Sequence, residues 1–247
     1  MENKPTKRAV VMGATSGIGK EITILLAEAG WHIGIAGRRT RELKEMKDIS
    51  PEQICTATID VTQEDAPERL ETLIDELGGM DLYAHCSGTG HQNYGLEPAI
   101  ELDTVATNAA GFVRMTDAAF HYFLKKGKGH VAVISSIAGT KGLGAAPAYS
   151  ATKRFQNTYI EALEQLACMH KADIRFTDIR PGFVDTSLLR DGKRYPMLMP
   201  LEKAGKAILR AILRKRHVAV IDWRYRILVA LWKLIPRRIW RRMPVRN

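Results

Sequence analysis

The chain has 247 residues and a mass of 27.6 kDa, with 45% hydrophobic and 26% charged residues. That suffices for one large domain with a sizeable core and excludes a disordered polypeptide. The net charge of +10 is concentrated in residues 223–247, with seven Arg, one Lys and no acidic residue; the other 222 residues carry about +2, which removes most support for a nucleic-acid-binding domain.

Residues 9–12 form a short apolar run ended by Gly13, as a buried parallel strand requires. A helix follows over 18–29, closed by Gly30, then a strand over 32–36 and a polar helix over 39–47. The pattern continues with a strand at 56–61, a helix at 66–77 and a strand at 81–86. A long helical stretch covers 98–124, followed by a strand at 131–135 and a helix at 148–169. A strand at 174–179, a helix at 201–213 and a strand at 218–221 complete the series. Seven strands separated by helices predict an α/β fold, a doubly wound, Rossmann-type parallel sheet with helices on both faces. The division expected is a dinucleotide-binding oxidoreductase domain over 1–222 and a basic, Trp-rich amphipathic tail over 223–247.

The three cysteines, Cys55, Cys86 and Cys168, have neither metal-ligand spacing nor a disulfide framework, which points to a reducing, cytoplasmic setting. No signal-peptide pattern opens the chain, and the longest nearly apolar run, 227–235, is far below the ~20 residues of a spanning helix. His91, His121, His130, His170 and His217 show no paired ligand spacing, so no metal is expected.

Gly13-Ala14-Thr15-Ser16-Gly17-Ile18-Gly19 lies between the first strand and the first helix. Glycines there permit a tight turn and close backbone approach, and the helix N-terminus offers free amides to a pyrophosphate. At the end of the second strand, where an acid would bind the ribose hydroxyls of NAD, the chain has Arg38 and Arg39. Two guanidiniums suit a 2′-phosphate, so NADP(H) is the expected cofactor. Tyr149 and Lys153 share a helical face at four-residue spacing, and a nearby cation favours the phenolate. Ser135 and Ser136 end a strand at the carboxyl edge, where such sheets place ligands.

Taken together, Gly13-x-x-x-Gly17-Ile18-Gly19, Asp60-Val61, Asn108, Ser135-Ser136, Tyr149-x-x-x-Lys153 and Pro181-Gly182 resemble the short-chain dehydrogenase/reductase family, from about residue 8 to 222. The resemblance implies that Tyr149 is the general acid in ketone reduction and that Lys153 lowers its pKa and holds the nicotinamide ribose. Ser136, rather than Ser135, would orient the carbonyl, and Asn108 would anchor a water in the proton relay. Asp60 and Val61 resemble adenine contacts, Gly88 keeps a close backbone approach, and Pro181, Gly182, Val184 and Thr186 resemble the segment beside the nicotinamide. A homo-oligomer, dimer or tetramer, is also implied. The chain departs from the family at His85-Cys86-Ser87-Gly88, where Asn-Asn-Ala-Gly is usual, and at Ser16, where many NADP-preferring members carry a base.

Substrate identity falls to the loops at 141–147 (Leu143, Ala145, Ala146) and 187–200 (Leu188, Leu189, Tyr195, Met197, Leu198, Met199). These residues either line an adaptable apolar site or cap the core. The expected activity is NADPH-dependent reduction of a hydrophobic, lipid-like ketone, with 3-oxosphinganine-type, 3-oxoacyl and steroid ketones as candidates. The alternative is a catalytically silent NADP(H)-binding sensor or scaffold. Tryptophans beside arginines in 223–247 suit an anionic membrane surface; packing on the body or on a partner subunit is the competing reading, and no nucleic-acid groove-reading motif is present.

Overall fold

The computed structural model describes residues 6–189 and 195–245. Its centre is one parallel sheet of seven strands: β1 (Arg8–Met12), β2 (His32–Gly37), β3 (Ile54–Thr58), β4 (Leu82–His85), β5 (Lys128–Ile134), β6 (Asp173–Arg180) and β7 (Val218–Val220). Their order is β3-β2-β1-β4-β5-β6-β7. The chain runs outward from β1 through β2 to β3, then returns to β4 on the other side of β1. The crevice between the carboxyl ends of β1 and β4 is therefore the switch point where ligands bind such sheets.

Helices cover both faces because each central strand is apolar on both sides. Val10 and Met12 of β1 join Tyr83, Phe112, Phe120 and Phe123 in a core beneath α3 (Ala66–Leu77), α5 (Phe112–Lys126) and α6 (Pro147–Met169). Ala9 and Val11, one residue out of phase, join Ile22, Leu43 and Ile208 beneath α1 (Gly17–Glu28), α2 (Thr40–Lys47) and α7 (Leu201–Leu213).

Three boundaries correct the sequence reading. The third strand is 54–58 rather than 56–61, because the Asp60 carboxylate accepts from Thr62 N at 3.0 Å and closes a turn. β5 begins at Lys128, where ladder pairing with Asp173 recruits a polar stretch lacking strand-like hydrophobicity. The helix expected over 98–124 divides into α4 (Pro98–Val105), a π turn (Ala106–Gly111) and α5. The tail is α8 (Trp223–Leu234) and α9 (Arg237–Trp240), and it packs on the body: Tyr225 and Val229 are buried against Ile137. No helix among the described residues is long and apolar enough to cross a membrane.

Candidate active site

β1 delivers the chain into Gly13, whose φ of +87° belongs to the left-handed region. A Cβ there would lie 2.5 Å from Ser87 N, and one on Gly19 would collide with the Gly13 carbonyl. These glycines let α1 start directly against the β4 loop. Ser16 precedes α1 in an extended conformation, its side chain making no capping hydrogen bond to the helix, and the first turn holds no acid. Its amides are left for an anion. Thr186 stands over this turn, its Cγ2 3.3 Å from where a Gly17 Cβ would be. The glycine turn, uncapped helix and overhanging threonine thus form a cradle that fits a dinucleotide pyrophosphate.

At the end of β2 the Arg39 Nη2 donates to Thr15 Oγ1 and Ser16 Oγ, both at 2.7 Å, with Glu42 3.7 Å from its Nε. Arg38 is exposed, and Arg39 with the two hydroxyls forms a polar rim on which a phosphate monoester fits. Asp60 is engaged in its own turn. Val61 is buried, and its carbonyl accepts from Arg114 Nη1 at 2.8 Å. Ile18 and Val184 also place their side chains in the core, Val184 bridging to Met199, so any ligand contact there is through backbone.

The second half of the site surrounds the start of α6. Ser135 is committed to structure: its hydroxyl donates to Asp178, and Asn157 Nδ2 donates to it at 3.0 Å. Ser136, next along, accepts from Ala138 N at 3.1 Å and is a hydrogen-bond partner of the Tyr149 phenol. The Tyr149 ring lies against Gly90, where a Cβ would overlap the ring. Burial raises the phenol pKa, partly offset by Ser136. The direction is opposite to the expected lowering, burial being the larger cause; the Lys153 Nζ stands over the Tyr149 ring, 5.8 Å from its centre. It donates to Ile134 O and Gln156 Oε1, both at 3.0 Å. Burial pushes its own pKa down to about 8, against the opposing pull of Asp178 and Cys86.

Asn108 sits in the π turn. Its Oδ1 accepts from Thr89 N at 2.9 Å and its Nδ2 donates to Thr89 O at 2.7 Å, clasping the loop after Gly88. Gly88 faces both Asn108 Oδ1 and Lys153 Nζ, at 3.3 and 3.5 Å from the place of a Cβ. Pro181 O accepts from Ile137 N at 3.1 Å, and Gly182 has no Cβ because the Tyr225 ring lies on it. At the family departure, His85 is fully buried and shares a 2.9 Å hydrogen bond with Tyr83, burial holding its pKa near about 3. Burial pushes the Cys86 thiol up to about 12.

Two residues beside the site escaped the sequence reading. Glu101 of α4 accepts from Ala148 N, at the opening of α6, and from Asn93 Nδ2, both at 2.9 Å. It ties the helix start beside Tyr149 to the loop over the site. Gln156 bridges Lys153 to the Asn108 carbonyl. The only signal for Gln156 in the sequence is an amide at an otherwise buried helical position. Of the candidate pocket residues, Ala145 and Met199 are buried in the body, Tyr195 packs on Phe183 at 4.8 Å, and Met197 joins the Tyr225 cluster. Leu198 is exposed, while the Leu188 side chain and residues 190–194 lie outside the described residues.

A family model described as short chain dehydrogenase matches residues 7–194. An uncharacterized oxidoreductase of Myxococcus xanthus is 30% identical over 237 residues, 93% of each chain. Among solved structures, the closed form of a serine dehydrogenase complexed with NADP+ superposes with a TM-score of 0.79 at 25% identity, covering 87% of this chain and 94% of that one. An actinorhodin polyketide ketoreductase with NADPH gives 0.68 at 26%, covering 76% and 74%. With the family model spanning most of a chain that folds as these enzymes do, the protein belongs to the short chain dehydrogenase family and is an oxidoreductase of that type.

Proposed function

We propose that the chain is an NADPH-dependent reductase of an apolar, lipid-like ketone, also able to run as the alcohol dehydrogenase. The observation that carries this is the gathering of Ser136, Tyr149 and Lys153, with Tyr149 against Gly90 and Lys153 against Gly88, next to the glycine cradle. The NADP+ and NADPH of the serine dehydrogenase and ketoreductase structures support the cofactor choice. NADPH, when bound, supplies the hydride; Gly13, Thr15, Ser16, Gly17, Gly19 and Thr186 would hold its phosphates, and Arg38 and Arg39 the 2′-phosphate. Ser136 positions the carbonyl oxygen through its hydroxyl. Tyr149 gives that oxygen its phenolic proton, and its raised pKa keeps the proton in place at neutral pH. Lys153, charged below about pH 8, supports the developing phenolate. A homo-oligomer is part of this reading. The test is loss of NADPH absorbance against a panel of 3-oxosphinganine-type, 3-oxoacyl and steroid ketones. Tyr149→Phe is expected to lower turnover by at least ~10²-fold while leaving NADPH binding intact; undiminished turnover would overturn the assignment, and no turnover by the parent would favour a silent NADP(H) sensor.

We propose an anionic membrane surface as the partner of residues 223–247. Tyr225, Val229 and Trp240 turn inward, and Trp240 Nε1 donates to Gly142 O at 2.7 Å. Trp223, Ile227, Leu231 and Leu234, which share the opposite face, are 53–77% exposed. Arg226, Lys233, Arg237, Arg238, Arg241 and Arg242 accompany them, which suits anionic headgroups and disfavours a second copy of the same cationic face. The inward side rests on Gly182 and Ile137, so docking would bring the substrate side toward the lipid. Co-sedimentation with phosphatidylserine vesicles that weakens with salt, and is abolished by Ile227→Glu with Leu231→Glu at unchanged melting temperature, is the expected result. Absence of binding at low salt would refute it.

A further inference from the structure

Lys153 is only 4% exposed, and an ammonium in such a place needs acceptors for its protons. The backbone supplies one, Ile134 O at 3.0 Å. The other comes from the next turn of α6: Gln156 Oε1, also at 3.0 Å. Gln156 has no exposed surface, and its Nε2 donates at 2.9 Å to the backbone carbonyl of Asn108. That carbonyl belongs to the π turn between α4 and α5, where widened hydrogen bonding leaves backbone groups for side chains. One amide therefore uses both ends, donor toward the π turn and acceptor toward the ammonium. Hydrocarbon at this position would strand Lys153 and Asn108 O together.

The geometry points to Gln156 as a positioning residue that binds the Lys153 ammonium in place and couples it to the π turn carrying Asn108. It occupies, with protein atoms, the connection between Lys153 and the Asn108 carbonyl. The amide holds the ammonium without relaying a proton, and the charge state of Lys153 depends on its orientation. The other groups acting on Lys153 are Tyr149 on its own helix, Asp178 on β6, and Cys86 and His85 at the end of β4. Asp178 is already engaged by Ser135, Asn157 and Arg180, the last at 2.6 Å, which leaves Gln156 as the neutral, adjustable partner.

The role of Gln156 in catalysis rests on the reductase reading, so the experiment has a readout free of turnover. Protein labelled with 15N-lysine is titrated by NMR with NADPH bound, the Lys153 signal being assigned by its loss in Lys153→Arg. Gln156→Leu is expected to lower the Lys153 titration midpoint by about one pH unit, and Gln156→Glu to raise it by about one or more, since a carboxylate favours the ammonium. The alkaline limb of the ketone-reduction profile is expected to move by the same amounts in the same directions. Gln156→Asn, which keeps the amide on a shorter arm, should recover part of the Leu shift. Melting temperatures verify that each variant folds, and Gln156→Glu serves if Gln156→Leu does not. A lysine midpoint unmoved in a folded variant, or moved alike by Leu and Glu, overturns the assignment of Gln156. If the midpoints shift as expected while no ketone is reduced by the parent, the reductase reading fails and the coupling of Gln156 to Lys153 stands.

Discussion

Replacing Glu101 with Ala tests how the start of α6 is held. Glu101 reaches from α4 to accept from Ala148 N and from Asn93 Nδ2, both at 2.9 Å. The first is a carboxylate on a helix N-terminus, favoured by both hydrogen bonding and the helix dipole. The second satisfies a side chain that is only 4% exposed and that also holds Glu97 N and, through its backbone N–H, Ala145 O. Charged hydrogen bonds contribute ~1.5–3 kcal/mol each. Because Glu101 itself is partly open to water, which would re-satisfy some of these donors, the net loss is about 2 kcal/mol rather than the full sum. For a chain of this size that lowers the melting temperature by ~4–8 °C. Tyr149 follows Ala148 directly, so kcat should fall by roughly an order of magnitude as the phenol loses its fixed position. Glu101→Gln should retain about half the stability, since one amide end can accept but the other meets a donor. The measurements are thermal unfolding and initial rates on the same preparations. A melting temperature within about one degree of the parent, with kcat unchanged, would refute the claim that Glu101 braces this helix.

Two further outcomes follow from the charged rim and the thiols. Replacing Arg38 and Arg39 together by Ala should narrow the affinity gap between NADPH and NADH, by one or two decades at ~1.5–3 kcal/mol for each charge-assisted bond; equal affinities in the parent would defeat the 2′-phosphate reading. With iodoacetamide near neutral pH, the exposed Cys168 should label first, while the half-buried Cys86, pushed up to about 12, stays a thiol and labels far more slowly; labelling of Cys86 as fast as Cys168 in the folded protein would contradict this.

Much of the architecture was legible because parallel sheets impose a strong pattern. Each strand had to be apolar on both faces, and each crossover had to be a helix, so the runs at β1, β2, β4 and β6 stood out. The glycine turn was legible for a similar reason: Gly13 and Gly19 occupy places where a side chain would strike backbone. Tyr149 and Lys153 could be paired from helical spacing alone. Spacing did not reveal what surrounds them. Burial reverses the expected direction of the Tyr149 shift, and the partners of Lys153 come from β5 and from Gln156, whose side chain also reaches the π turn. The π turn itself was invisible, because its residues, Ala106–Gly111, read as ordinary helix and their bonding is completed by α6. The tail shows the same division. Its cations and tryptophans were countable in the sequence, but only the docking of Tyr225 onto Gly182 and of Trp240 onto Gly142 O decided which face packs inward and which is left to solvent. Local pattern determines which elements form, since it acts within a few residues; burial, orphaned polar groups and the pairing of distant side chains depend on contacts that exist only after the sheet has brought its strand ends together.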